Sequence, residues 1–217
     1  NPLTPIQLII DKLKNKYSDK IENNQKEDFT KSLKIIAKQI KQIENLVNEF
    51  SDFARMPKPI LKDNNLVTLA KDNIKLINEL DNTILINFSS SSDNIILNSD
   101  NEQLSRVFLN LIKNSIESIQ ERKSHNLNFK GVINVSLDEN ISDIDFIIID
   151  NGLGFKMLTK NIKDVLNPYF TTKKQGTGLG LAIVNKTIND HNGSIEFFPI
   201  KNGAKIKINF IKWVQRY

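Results

Sequence analysis

The chain has 217 residues, 39% of them hydrophobic and 25% charged, which suits one large or two small domains of ordinary globular composition. Its 30 Lys and Arg exceed its 25 Asp and Glu by five, but they lie among the acids without a run of five like charges, which reads as a solvated surface and not a nucleic-acid footprint. The absence of cysteine excludes disulfides, a thiolate metal site and a cysteine nucleophile.

Residues 1–56 read as helical. Leu3, Ile6, Ile10, Leu13 and Tyr17 alternate spacings of three and four, and so do Phe29, Leu33, Ile36, Ile40, Ile43, Val47 and Phe50. The polar stretch Ser18–Asp28 reads as the turn between them. Two helices of this length do not close a core, but a pair of hairpins does, as a four-helix bundle. A homodimer through residues 1–56 is therefore expected, in preference to a hairpin packed on its own chain, because the seam is narrow and regular. Met56-Pro57-Lys58-Pro59 ends the second helix. The expected domains are 1–58 and 59–217.

Beyond the prolines the pattern changes to α/β. Leu66–Leu80 reads as a helix, and Thr83–Phe88 and Asn94–Leu97 as strands. Asp100 is a candidate N-cap with Gln103 placed for a capping box, opening a helix to about Glu121. Val132–Leu137 and Ile144–Ile149 are strong strands. A helix starts near Thr177 and ends at His191-Asn192-Gly193. Ser194–Phe198 and Ala204–Phe210 form a hairpin around Asn202-Gly203. The fold class is thus α+β, a helical hairpin followed by an α/β sandwich. Apolar runs such as Phe146–Ile149 are far too short to span a bilayer, and no signal peptide is visible.

Three places carry chemistry. Asn110 and Asn114 lie four apart on one helix face, with Glu117 three further on. A single inward Asn is most often a satisfied structural residue, whereas two in register beside glycine loops favour a ligand role. An amide oxygen suits Mg²⁺, which takes oxygen ligands and leaves other positions to water and substrate phosphates. Second, the apolar strand ends in Asp150, followed by Gly152 and Gly154 in DNGLGF. A carboxylate there can accept from an adenine amino group, and glycines let backbone approach the base. D-x-G-x-G alone also marks ordinary turns. Third, Gly176, Gly178 and Gly180 in GTGLGL open a helix whose N-terminus is an anion site. It is neither a Walker A loop nor a dinucleotide fingerprint. Between the clusters, Phe170 can latch a cover, and Lys173 or Lys174 can approach a γ-phosphate; an ordinary basic loop is the competing reading.

NLIKN at 110–114, DNGLGF, the NPYFTTKK segment and GTGLGL stand in the order of the N, G1, F and G2 boxes of sensor histidine kinases. From about residue 60 onward the chain resembles their Bergerat-type ATP-binding domain. The resemblance implies ATP and Mg²⁺ as cofactors, with Asn114 as the metal ligand and Asn110 supporting it. It implies Asp150 as the adenine anchor, with Gly152 and Gly154 shaping the pocket. Phe170, Thr171, Thr172, Lys173, Gly176, Thr177, Gly178, Leu179 and Gly180 correspond to the ATP lid and its phosphate turn.

The hairpin extends the likeness. NPLTP at 1–5 resembles the stretch after the phospho-acceptor in the motif H-E-x-x-N-P, and with FARMPKP at 53–59 is close to NtrY-type nitrogen-regulation kinases. The acceptor His would sit four residues before Asn1, so the chain is expected to be a piece of a longer protein. Neither His125 nor His191 matches its position. Asn1 would orient water for dephosphorylating a response regulator. The implied partners are a second copy and an NtrX-like response regulator, with no nucleic acid. The implied place is the cytoplasm, under a parent anchored in the inner membrane.

Gyrase-type ATPases of the same fold carry a Glu four residues before the magnesium Asn, as general base. Here Asn110 stands there, and its amide takes no proton usefully. Phosphoryl transfer to an imidazole depends mainly on positioning and charge neutralisation. The residue thus favours a kinase. Glu117 departs from the basic or aromatic residue many relatives have nearby. The expected activity is a protein-histidine kinase that binds ATP·Mg²⁺ but does not label itself at the usual position. The alternatives are a response-regulator docking module with degenerate catalysis and a gyrase-like ATPase.

Overall fold

Alternation builds the sheet. In the computed structural model, every second residue of β4 (Val132–Glu139) as far as Leu137, and of β5 (Asp143–Asp150) and β7 (Ala204–Ile211), is buried, as strand geometry requires when one face meets a core. The structure describes residues 3–17, 21, 23–80, 82–126, 128–155, 162–173 and 176–212, and of these not the side chains of 23, 24, 52, 53 and 125. Two compact units result: Asn1–Met56 with Lys173–Thr177, and Pro57–Thr172 with Gly178–Tyr217.

In the first unit, α1 (Thr4–Tyr17) and α2 (Asn23–Ala54) form the hairpin. The stretch expected as a turn up to Asp28 is already helical from Asn23, because Gln, Lys and Glu are good helix formers on an exposed face. Only Ile10, Leu33 and Ile40 of the two seams are buried, with Leu3 and Phe29 against them. Ile6, Ile36, Ile43, Val47 and Phe50 remain exposed.

The second unit is a two-layer sandwich. One layer is a five-stranded sheet of order β2-β4-β5-β7-β6, where β2 is Leu85–Ser90 and β6 is Gly193–Pro199. β2 runs parallel to β4, and every other pair is antiparallel. Helices α3 (Leu66–Leu80), α4 (Asn101–His125) and α5 (Gly180–Asp190) supply the other side of the core. Ile133, Val135, Leu137, Ile144, Phe146, Ile148, Ile206, Ile208 and Phe210 face Leu66, Ile74, Leu104, Phe108, Leu111, Val184 and Ile188 in one cluster. Phe108 of α4 stacks on Phe146 of β5 with ring centroids 4.1 Å apart. The expected mixed helix-and-sheet class is observed.

Local chemistry moved several boundaries. A small antiparallel pair joins β1 (Lys62–Asn65) to β3 (Ile96–Ser99). β1 carries no hydrophobic pattern, and Asn64 Nδ2 donates to the Ser99 carbonyl at 2.7 Å instead. Asp100 does cap α4, accepting from the Glu102 and Gln103 N–H groups. The capping box does not close, however. Gln103 Nε2 donates to the Pro57 carbonyl, and the Asp100 N–H donates to His191 Nε2 at 2.9 Å. Burial alone would raise the Asp100 carboxyl, but the N–H groups of Ile60, Gln103 and Glu102 outweigh it and hold the group below its ordinary value. The buried His191 ends α5, its Nδ1 2.8 Å from the Thr187 carbonyl. α5 begins at Gly180, three residues later than the sequence suggested, because Gly178 takes a φ of +71° that no helix permits.

Candidate functional site

Strand alternation places the central acid. Ile144, Phe146 and Ile148 point into the core, and Asp150 takes the next inward position at the end of β5. Asp150 is 4% exposed. Oδ1 accepts from the Gly152 N–H at 2.8 Å and Oδ2 from the Ser115 hydroxyl at 3.1 Å. Burial raises the carboxyl above its ordinary value, and the Gly152, Ser115 and Ala204 hydrogen bonds pull it back only in part.

The loop after Asp150 is bolted to α4. Ser118 Oγ accepts from the Leu153 N–H at 2.9 Å and the Gly154 N–H at 3.4 Å. Arg122 Nη1 donates to the carbonyls of Asn151 and Gly152, at 2.7 and 3.2 Å, and its guanidinium lies 4.5 Å from the Phe129 ring centroid. Asn151 carries the sheet one residue further, accepting from the Val132 N–H and donating to the Lys130 carbonyl. Glycine is required at two loop positions. A Cβ on Gly152 would lie 2.4 Å from Ser118 Oγ, and one on Gly154, at φ +71°, would lie 2.0 Å from the Gly203 carbonyl oxygen.

Asn110 and Asn114 sit on α4, both half-buried. A Cβ on Gly180 would lie 3.4 Å from Asn110 Oδ1, which places the N-terminus of α5 beside that amide. The cap of α5 is Leu179, which offers the first turn no side-chain acceptor. Amide oxygens next to a helix N-terminus suit a hard cation together with the phosphates it accompanies. Among the described residues no group of three His, Cys, Asp or Glu could hold a metal ion. A Mg²⁺ held chiefly by an Asn and by nucleotide oxygens fits that donor set.

The lid residues divide between the units. Phe170 packs against the core of the second unit, while Thr171 and Thr172 are exposed. The Tyr169 N–H donates to the Gly178 carbonyl at 3.0 Å, closing the base of the segment. In the first unit, Lys173 is exposed, its carbonyl accepts from the Gly176 N–H, and the Thr177 hydroxyl donates to the Glu49 carboxylate. Asn1 and Lys174 lie outside the described residues.

Sequence reading missed Ser115, Ser118 and Arg122. Their i, i+3, i+7 spacing along α4 was the available signal. It also took Gly203 for a hairpin turn alone. A Cβ there, at φ +109°, would lie 1.8 Å from the Asp150 carbonyl oxygen, so Gly203 is part of the wall behind the acid.

Residues 99–213 match the sequence pattern of the family described as histidine kinase-, DNA gyrase B- and HSP90-like ATPases, and every described residue of this geometry except Glu49 lies within that span. The chain belongs to this family. An NtrY-like sensor histidine kinase of Rickettsia felis is 37% identical over 211 residues, 97% of this chain and 34% of its own length. The nitrogen regulation protein NtrY of Azorhizobium caulinodans is 34% identical over 210 residues, 96% of this chain and 27% of its own. The chain therefore spans about a third or less of the curated relatives it matches. Among solved structures, the catalytic domain of histidine kinase ThkA aligns with a TM-score of 0.61 at 25% identity, over 70% of this chain and 95% of that one. ThkA in complex with the response regulator TrrA gives a TM-score of 0.71 at 19% identity, over 100% of this chain and 60% of that one, a likeness of fold. This histidine kinase-type ATPase domain thus resembles those of NtrY-like sensor kinases. No helix among the described residues is long and apolar enough to cross a membrane.

Proposed function

We propose that the chain is the ATP-dependent core of a two-component sensor kinase. It supports transfer of a phosphoryl group from ATP to a histidine on a dimerisation helix, and from there to an aspartate of an NtrX-like response regulator. The observation that carries this is the buried, ionisable Asp150 beside a helix face holding Asn110 and Asn114. That pairs a base anchor with a hard-cation ligand, and offers no carboxylate at the water-activating position.

Asp150 would accept from the amino group of adenine. Gly152 and Gly154 leave room for the base, and the N-terminus of α5 with Gly178 and Gly180 would receive phosphate oxygens. Asn114 would hold Mg²⁺, which when bound neutralises phosphate charge as the transfer proceeds, and Asn110 would keep that amide oriented. Phe170 would hold the lid segment down, and Lys173 would meet the γ-phosphate. Asn1 would orient water in the reverse, phosphatase reaction. The exposed seam of the hairpin, Ile6, Ile36, Ile43, Val47 and Phe50, supports a homodimer through residues 1–56. The whole would work in the cytoplasm, attached to an inner-membrane sensor.

Labelling with γ-labelled ATP of a chain that includes the H-E-x-x residues ahead of Asn1 tests the reading. An acid-labile, alkali-stable label that passes to a receiver domain is expected. Steady phosphate release with no protein label would overturn it in favour of an ATPase, and ATP binding without label or turnover would favour a docking module.

A further inference from the structure

Two polar residues occupy positions that the packing pattern assigns to the core. Along α4 the inward stripe runs Leu104, Phe108, Leu111, Ser115, Ile119, and Ser115 is only 2% exposed. Along β5 the inward set runs Ile144, Phe146, Ile148, Asp150. Phe108 stacks on Phe146. Seven helical residues onward, about 10.5 Å, and four strand residues onward, about 13 Å, Ser115 meets Asp150. An alanine would fill the same stripe without a hydroxyl to satisfy. The hydroxyl has its partner in the carboxylate, at 3.1 Å.

We propose that Ser115 is a positioning residue that sets purine selectivity: by donating to Oδ2 it holds Asp150 as an acceptor-only carboxylate, so the pocket takes a 6-amino purine and opposes a 6-oxo one. The proposal rests on Asp150 being the base anchor. An ionised carboxylate accepts from an exocyclic amino group and repels a carbonyl oxygen. A protonated carboxyl has an O–H to offer and pairs with the carbonyl. Burial pushes Asp150 toward that second state. Three donors favour the first: the N–H groups of Gly152, on Oδ1, and of Ala204, and the Ser115 hydroxyl on Oδ2, the one side-chain donor of the three, which α4 holds in place. Without the hydroxyl, the carboxyl protonates more readily and turns more freely. Ser118 and Arg122 stand apart from this effect, since their hydrogen bonds go to the loop backbone and not to the Asp150 carboxylate.

Calorimetric titration with ATP and with inosine triphosphate, which carries an oxo group in place of the amino group, tests the assignment on wild type, Ser115→Ala and Ser118→Ala. Wild type is expected to prefer ATP by about a hundredfold or more. Ser115→Ala is expected to cut that ratio by about tenfold, the effect of one hydrogen bond to a charged group. Ser118→Ala is expected to weaken both nucleotides together and leave the ratio alone. Ser115→Cys, similar in size with a weaker donor, should give an intermediate ratio, and it decides the matter if the alanine variant does not fold. An unchanged ratio in Ser115→Ala or Ser115→Cys would overturn the inference while wild-type binding upholds the nucleotide site. No ATP binding by wild type would overturn the site itself.

Discussion

Replacing Asp150 by Asn separates binding from folding. The amide keeps the shape of the carboxylate. Its oxygen can still accept from the Gly152 N–H, and its NH₂ can donate to the Ser115 hydroxyl, so both partners seen at 2.8 and 3.1 Å stay satisfied. What changes is the charge. The bond to the adenine amino group loses its ionic partner and, in that orientation, meets a second donor. Hydrogen bonds to charged groups contribute about 1.5–3 kcal/mol, so ATP binding should weaken by roughly ten- to 150-fold. Stability should move the other way. Burial raises the folded-state carboxyl above its unfolded value. The protonated acid's contribution is therefore full below the unfolded value and is lost as pH rises through the folded one. Asp150→Asn escapes that loss. It should match wild type in acid and become the more stable protein toward neutrality, by about 2–4 °C in Tm for each kcal/mol relieved. Calorimetric titration with Mg·ATP and thermal melts from pH 3 to 8 read both effects. Undiminished ATP binding, or a stability advantage that opens only in acid, would refute the reasoning.

Gly203→Ala forces a Cβ to within 1.8 Å of the Asp150 carbonyl oxygen at a φ of +109°, so urea midpoints should report a loss of about 2–5 kcal/mol; an unmoved midpoint would contradict the packing. His191→Ala removes the acceptor of the half-buried Asp100 N–H and should lower stability by about 1–3 kcal/mol while leaving the ATP affinity of the folded protein unchanged. Ile43→Asp, at a seam position 48% exposed in one chain, should convert a dimer to a monomer in sedimentation; a monomeric wild type would remove the basis for the bundle.

The parts legible in the sequence were those where a single residue type is forced. Gly152 and Gly154 mark a turn free of side chains, and the apolar run Phe146–Ile149 marks a strand that ends in Asp150. The parts that were not legible depend on partners far away in sequence. Ser115 and Ser118 read as ordinary helix serines until β5 and its loop are laid beside them. Gln103 had the right spacing for a capping box, but the Asp100 N–H was taken by a histidine 91 residues away. β1 has no apolar pattern because it pairs through backbone and Asn side chains. The start of α5 was misplaced because a glycine-rich run does not reveal which of its members takes positive φ.

The central claim is that the asparagine face of α4 and the carboxylate of β5 together bind one metal-nucleotide complex. Titration of the wild-type chain and of Asn114→Ala with ATP, in Mg²⁺ and in a chelator, tests it most directly. The account predicts that wild-type affinity rises with Mg²⁺ and that Asn114→Ala loses the Mg²⁺-dependent part while keeping the rest through Asp150. ATP binding that is indifferent to Mg²⁺ in wild type, or a Mg²⁺ effect that survives in Asn114→Ala, would contradict it.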